Sequence, residues 1–352
     1  AIELEGRYLK GRQSIDEYLE QTAIANPHAS ITWSPPAGEP VHFERTVEEL
    51  PEEPSEIKPH PHGIELGTLI QMLERTEHKQ LGGFFKHDFC RVGPSKAATI
   101  CEAAGVTPRS WTSGINHETA ERLYQAIRDV KLMAPPTDCL APIGPKALLA
   151  GLLKEVKAEF YAASSRPPAV YRGNPFQIEV AIAYGGDLPA DESARVIRFA
   201  NRVPLLYQQS ACAAFKSAVE TGWRNYGLTQ PRGALPVGPL VVMIHMASVW
   251  VPFTSESKEA IADYDEIRNE MKRALQECGR KLGTFLRRRK RMRREAERRS
   301  VFERYIGEIS RACAAIIPDT DAEALFEALA AQARSKTEEA DYRLDDEGNV
   351  VD

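Results

Sequence analysis

From residue 261 onward the sequence repeats Ile261, Tyr264, Ile267, Met271, Leu275, Cys278, Leu282 and Leu286 at steps of three or four, with no helix breaker stronger than a glycine. Such spacing places every apolar side chain on one face of an α-helix. The pattern predicts one helix from about Ser257 to Ile316, on the order of 90 Å long at 1.5 Å per residue. A chain of 352 residues has no need of so long an element for its own core. A helix of that length carries force or meets a partner.

The middle of this helix is charged on all sides. Arg287-Arg288-Arg289-Lys290-Arg291-Met292-Arg293-Arg294 cannot form a core face, and its self-repulsion must be relieved by counterions, acidic groups or phosphates. Residues 280–304 hold twelve Lys or Arg against three Glu, whereas residues 319–352 hold eleven acids against three bases, so the net charge of -5 conceals a strong asymmetry. Nucleic acid is the natural counter-charge for the basic run, and pairing with the acidic tail or a partner subunit is the alternative. The tail, residues 318–352, reads as flexible.

Upstream, Ser14-Ile15-Asp16-Glu17 has the form of a capping box, and Asn26-Pro27 closes the helix that it opens, giving a helix over 14–25. Ile31 to Trp33 and Val41 to Phe43 flank Pro35-Pro36-Ala37-Gly38 and read as two short strands around a turn. The stretch from Glu48 to His62, with four prolines and many charges, reads as a linker. From Ile64 to Val130 the pattern becomes helical, with Leu66, Leu69, Ile70 and Leu73 on one face and Leu123, Ile127 and Val130 on another. Pro135-Pro136 and Pro142-Ile143-Gly144 mark the next boundary. Phe176, Ile178, Val180, Ile182 and Tyr184 then alternate with Gln177, Glu179, Ala181 and Ala183, the period of a strand. Leu240 to Val251 is an almost unbroken apolar run suited to a central strand, and Cys212 to Trp223 reads as a helix between them. An α/β layer with helices over one face of a sheet is expected. The chain opens on Ala1 and a strand-like Ile2-Glu3-Leu4-Glu5, read as the continuation of a domain lying upstream.

Few residues invite chemistry. The six cysteines form no C-x-x-C pair and the histidines no H-E-x-x-H, so neither a zinc ribbon nor a disulfide framework is expected, and His60 and His62 read as a solvated loop. There is no phosphate-binding Gly-rich loop ending in Gly-Lys-Ser/Thr, no Asp-x-Gly-x-Gly box, and no nucleophile with a base and an orienter. No membrane span and no secretory leader are read.

Contacts to a nucleic-acid backbone are the better prospect. Phe89-Cys90-Arg91-Val92-Gly93-Pro94-Ser95-Lys96 fits a glycine turn into a helix N-terminus, where amides and the helix dipole meet a phosphate. Arg91 and Lys96, with Lys86 nearby, add charge without reading bases. An ordinary Gly-Pro turn between packed helices fits the same residues. Lys10-Gly11-Arg12 is a basic loop before the capped helix, and Trp223-Arg224-Asn225-Tyr226 an aromatic, base, aromatic pattern that either lies on a DNA backbone or seals a core edge. Lys216, taken alone, reads as a surface lysine.

Several long strings give the chain a family resemblance: Lys10-Gly-Arg-Gln-Ser14, Gln21-Thr-Ala-Ile-Ala-Asn-Pro-His28, Lys58-Pro-His-Pro-His-Gly63, Pro135-Pro-Thr-Asp-Cys-Leu140, Arg166-Pro-Pro-Ala-Val-Tyr-Arg-Gly-Asn-Pro-Phe176, Ala183-Tyr-Gly-Gly186, Asn201-Arg-Val-Pro-Leu-Leu-Tyr207 and Trp250-Val-Pro-Phe-Thr-Ser255. Together, from residue 1 to about residue 310, the chain resembles the B subunits of archaeal-type DNA topoisomerase VI.

The resemblance implies an α+β multidomain chain: residues 1–57 as the end of a GHKL-type α/β ATPase domain, 58–140 as an all-α helix-two-turn-helix domain, 141–256 as an α/β transducer (ribosomal S5 domain 2-like), and 257–317 as a stalk helix. The family transducer also carries a left-handed βαβ crossover, against the usual handedness. By the same resemblance Lys216 matches a switch lysine that reaches the γ-phosphate of ATP, and the nucleotide pocket lies upstream of residue 1. Mg2+ is expected in the full enzyme, with no ligands in this chain. Lys10, Arg12, Arg91, Lys96, Trp223, Arg224, Tyr226 and the run Arg287, Arg288, Arg289 become DNA-contact candidates. The implied partners are double-stranded DNA, a second B subunit upon ATP binding, and an A subunit that cleaves DNA and is met through the stalk. One departure is Ala214-Phe215 before Lys216, at positions where relatives vary. The competing reading is a DNA-binding or scaffold protein that keeps the transducer fold without catalysis. A repair glycosylase is disfavoured, because no amino-terminal proline nucleophile or zinc finger accompanies the helical module.

Overall fold

The computed structural model describes residues 8–36, 38–317 and 321–341. The strand expected at Ile2 to Glu5 lies outside them, as do parts of the acidic tail. Helix α1 (Ile15–Ala25) starts where the cap predicts: Ser14 accepts from the Glu17 N–H at 3.1 Å. The glutamate reaches back one residue further than a capping box does, accepting from the Gln13 N–H at 2.6 Å. Strands β1 (Ile31–Trp33) and β2 (Val41–Phe43) pair antiparallel, Ile31 opposite Phe43.

No helix or strand interrupts residues 44–60. Four helices follow, α2 (Leu66–Arg75), α3 (Leu81–Asp88), α4 (Pro94–Ala103) and α5 (His117–Asp129), around Leu69, Leu81, Phe84, Phe85, Ile100, Leu123 and Ile127, all fully buried. His60 and His62 are not a solvated loop. The buried His60 ring meets the Met133 carbonyl at 3.0 Å, and His62 Nε2 meets the carbonyls of Ile127 and Val130 at 3.0 Å, so the two rings anchor the start of this unit to its end.

Helix α6 (Pro145–Glu155) leads into a six-stranded sheet of β3 (Phe160–Ser165), β4 (Ala169–Tyr171), β5 (Asn174–Tyr184), β6 (Arg195–Ala200), β7 (Val203–Pro204) and β8 (Leu240–Ser248). The strand order is β3-β5-β8-β6-β7, with β4 on β5. All pairs are antiparallel except β6 and β8, between which the chain passes through helix α7 (Ala213–Glu220).

The expectation of helices on one face does not hold. Ala181, Ala183, Ile197, Phe199, Val241 and Met243 pack with Ile24 of α1 and with Leu148 and Leu152 of α6. The alternate residues Ile178, Val180, Ile182, Val242, Ile244 and Met246 are equally buried. Their face is the one toward the helix that begins at residue 265, whose Cys278 thiol reaches the Val180 carbonyl at 3.6 Å, and Ser217 of α7 meets Met271 there at 3.7 Å. With both faces covered, β5 and β8 need no polar side, and the period of two in β5 is a period of size (Ala181, Ala183) rather than of exposure.

The long helix α8 (Asp265–Ile316) has 52 residues and spans about 78 Å at 1.5 Å per residue. It begins eight residues later than predicted. Residues 252–262 instead form a loop closed by Thr254 N–H to Ala260 O (2.9 Å) and Ala262 N–H to Pro252 O (2.7 Å), and Ile261 is buried there, accepting from the Ala213 N–H. Ile261 and Tyr264 sit at helical spacing because both turn inward, not because the backbone is helical. A further helix, α9 (Ala322–Asp341), occupies part of the tail predicted to be flexible. By compactness the chain falls into one unit of residues 1–222 and 229–278 and another of 223–228 and 279–352.

Candidate functional site

The foot of α8 is where charged side chains converge. On one side Asp263 accepts from Lys216 Nζ at 3.0 Å and from Arg268 Nη1 at 2.9 Å. Glu220 at the end of α7 in turn lies 3.2 Å from Lys272 and 3.8 Å from Arg268. On the other side Arg166, just past β3, pairs with Glu270 at 3.2 Å and with Glu277. Two partners are close enough to keep the Arg166 guanidinium above its usual range, although burial alone pulls it down. Single half-exposed ion pairs stabilise little, typically under about 1 kcal/mol, but pairs on both flanks fix the direction of a helix. Tyr171 and Tyr264 stack at 4.6 Å with Arg172 over both rings, a further tie to the residue just before α8. Burial pushes the Tyr171 hydroxyl up to about 12, so it stays protonated.

Lys216 is thus half-exposed but held. The loop at 252–262 presents a second lysine that sequence reading missed by assigning it to the long helix. Lys258 is exposed, has a left-handed backbone (φ 56), and its N–H closes a turn on Ser255 O. A lysine in this conformation is uncommon and costs on the order of 1–3 kcal/mol, so the surrounding loop must impose it. Gln208, itself left-handed (φ 48), ties the loop down through Glu259 at 2.7 Å. No side-chain partner for Lys258 occurs among the described residues.

The DNA-contact candidates are carried by separate elements of the chain. Lys10 and Arg12 are exposed on either side of Gly11 (φ 114), in a loop braced where Asp16 accepts from Tyr8 (2.8 Å) and Trp33 (3.0 Å). The Tyr8 hydroxyl is the main reason the Asp16 carboxyl is held below its usual range. Arg91 is exposed and gives its Nε–H to Ala134 O at 2.8 Å, and Lys96 is exposed on the first turn of α4. The turn is not made by Gly93, whose φ of -87 any residue adopts. Arg91 is the left-handed residue (φ 60), and a Cβ on Gly93 would meet nothing within 4 Å. What Gly93 supplies is bare backbone at an exposed helix N-terminus.

Trp223 is a correction. It is fully buried and meets Tyr226 edge to face at 6.3 Å, so it cannot lie on a DNA backbone. Tyr226 fills a notch on α8, where Cβ atoms on Gly279 and Gly283 would stand 2.4 Å and 3.3 Å from it. The aromatics seal a packing edge, and only Arg224 of the three faces solvent. Arg287, Arg288 and Arg289 are exposed, Arg289 resting over the Phe285 ring at 5.7 Å. Farther along, Arg291 pairs with Glu295 at 2.8 Å and Arg293 with Glu297 at 3.2 Å, so the run is only partly neutralised by its own helix.

Among the described residues, no group of three or more His, Cys, Asp or Glu could hold a metal ion, and no helix is long and apolar enough to cross a membrane.

Comparison with known proteins fits this architecture. Residues 135–298, covering the sheet, its helices and the first part of α8, match the family described as "Topoisomerase VI B subunit, transducer". The B subunit of type 2 DNA topoisomerase 6 from Methanosarcina mazei is 47% identical over 310 residues, covering 88% of this chain and 50% of that protein. Its counterparts from Methanosarcina acetivorans and Archaeoglobus fulgidus are 46% and 44% identical, covering 87% and 82% of this chain and 49% and 48% of their own length. The chain spans about half the length of the curated relatives it matches. A solved structure, the B-subunit of the DNA gyrase from Myxococcus xanthus, covers 38% of this chain and 43% of its own at 16% identity and a TM-score of 0.28, too slight a likeness to bear on the fold. The chain belongs to the topoisomerase VI B subunit family, and its six-stranded sheet with the foot of the long helix is that family's transducer.

Proposed function

We propose that this chain is the force-transmitting part of a type IIB DNA topoisomerase, coupling ATP bound on a GHKL domain of the same subunit to passage of one DNA duplex through another. Passage would relax supercoils and decatenate DNA, with cleavage supplied by an A subunit. The observation that carries the reading is the foot of α8, gripped from α7 and from β3 by ion pairs, while the arginine run on the same helix stays exposed. A helix held in this way turns when its base turns. Near its far end Phe302, Tyr305, Ile309 and Ile316 are exposed at spacings of three, four and seven, a stripe suited to a helical partner such as the A subunit.

On this reading residues 58–140 act as a helix-two-turn-helix module, and α1 with β1 and β2 closes the ATPase domain. Lys10, Arg12, Arg91, Lys96, Arg224 and Arg287 to Arg289 supply backbone contacts to duplex DNA without reading sequence. A second B subunit joins when ATP binds. Two lysines could report the γ-phosphate. Lys216 is the one the family resemblance marks, yet it must leave Asp263 to do so. Lys258 is the alternative, because it is exposed, unpaired among the described residues and held on a strained turn directly before α8.

The test is ATP-dependent relaxation of supercoiled plasmid by the B subunit with its A subunit. Relaxation that requires ATP is expected, with a loss of at least tenfold when the reporting lysine becomes alanine. Activity unchanged in both Lys216→Ala and Lys258→Ala would reject the phosphate role for either. Duplex binding without any relaxation would favour the scaffold reading.

A further inference from the structure

The sheet core contains a charged network that none of the assignments above uses. Glu179 on β5 and His245 on β8 are both fully buried, their side chains 2.9 Å apart. The backbone N–H of Arg202 donates to His245 Nε2 at 3.1 Å, so Nε2 must be the acceptor and Nδ1 carries the proton that goes to Glu179. The carboxylate also accepts from the Ile143 and Gly144 N–H groups at 2.7 Å and 2.8 Å. Burial alone would push the Glu179 carboxyl up, but His245 and these amides outweigh it and hold the group below the usual carboxylate range.

The Arg202 side chain extends the network outward. Its Nη1 donates to Ala25 O at 3.1 Å and its Nη2 to Pro142 O at 2.9 Å. Ala25 is the last residue of α1, whose final turn has no basic residue of its own, and its carbonyl is one that a helix end leaves unpaired. Pro142 begins the turn that leads from the four-helix unit into α6. One guanidinium therefore fastens two incoming segments to the same point of the sheet. That point is strained and held firmly: Asn201 and Arg202 both have left-handed backbones (φ 46 and 67), and the Asn201 amide makes two 2.9 Å hydrogen bonds with the Ser248 backbone. Two adjacent non-glycine residues in this region persist only where their surroundings over-determine them.

We propose that Arg202 is a positioning residue for the coupling, a pin that holds α1 and the 142–144 turn to the transducer sheet so that a rotation of α1 is passed to β8 and not lost between them. The inference rests on the energy-coupling reading of the chain. Lysine cannot replace it, because a single ammonium lacks the planar fork that serves two carbonyls on diverging segments.

The experiment uses the A and B holoenzyme with Arg202→Ala and Arg202→Lys, and reads ATP hydrolysis, relaxation and the distance distribution between spin labels at the exposed positions Tyr18 on α1 and Val203 on β7. ATP hydrolysis within about twofold of the parent, at least tenfold fewer relaxation events per ATP, and a label distribution at least twice as broad are expected in both variants. If Arg202→Ala does not fold, Arg202→Lys carries the test. Hydrolysis and relaxation that fall in the same ratio, or a distribution of unchanged width, would overturn the pin and leave Arg202 as a packing residue. A parent enzyme with no ATP-dependent relaxation would sink the coupling reading instead, and the label distances would still decide whether Arg202 holds α1.

Discussion

The buried carboxylate at Glu179 and the arginine run on α8 are opposite uses of charge. Around Glu179 every charge has a partner chosen by the fold: two amides, a histidine of fixed tautomer and, through that histidine, an arginine backbone. Along Arg287 to Arg294 the partners supplied by the helix itself include two glutamates one turn away, both at the surface. The difference teaches where each charge does its work. A charge satisfied inside the fold defines geometry, and a charge left facing water is available to something outside it.

The comparison breaks first at its buried end. Glu179→Ala removes one partner of a fully buried pair and strands two amides and His245, and is expected to cost about 3–5 kcal/mol in urea unfolding. A loss below about 1 kcal/mol would mean that the network is decorative. The same carboxyl gives a pH signature. Since its folded value lies below its unfolded one, its contribution is complete above the ordinary carboxylate range and is lost as pH falls through the lowered value. Urea midpoints should therefore drop on the acid side more steeply for the parent than for Glu179→Gln.

The exposed end is sharpened by Arg287→Gln with Arg288→Gln and Arg289→Gln. Removing three phosphate contacts should lower the salt slope of duplex binding by about 2.7 and weaken binding at low salt on the order of a hundredfold, with thermal stability unchanged. An unaltered slope would assign the run to a protein partner. A smaller effect is expected from Gly279→Ala. In an open helix interior that change would stabilise by about 1 kcal/mol, but the new Cβ would lie 2.4 Å from the Tyr226 ring, so a net loss of about 1–3 kcal/mol is expected in thermal melting. Smallest of all, Arg291→Ala breaks a half-exposed pair and should change stability by no more than about 0.5 kcal/mol.

Sequence made the local elements legible wherever the signal was local. Ser14 announced α1, the proline-rich stretch from Glu48 announced that no helix or strand lies over 48–60 although its end at His60 and His62 is anchored, and the apolar run from Leu240 announced β8. It misled where three-dimensional neighbours decide. Ile261 and Tyr264 keep helical spacing with Ile267 but belong to a loop, which hid Lys258 and its strained turn. Trp223 and Tyr226 look like a DNA-stacking pattern until the glycine notch at 279 and 283 is seen, and no spacing rule connects residues so far apart in the chain. Glu179, His245 and Arg202 are single polar residues far apart in the chain. A charged residue inside an otherwise apolar strand was the one available sign, and it pointed to burial with a partner, not to exposure.

The most direct test of the central claim is to make the gripped helix flexible without touching its grip. Four residues, Gly-Gly-Ser-Gly, inserted between Thr284 and Phe285 of α8 leave every ion pair at its foot in place while breaking its continuity. In the A and B holoenzyme, ATP hydrolysis should persist and relaxation of supercoiled plasmid should fall at least tenfold. Relaxation at the parent rate would show that the helix transmits nothing and would contradict the account.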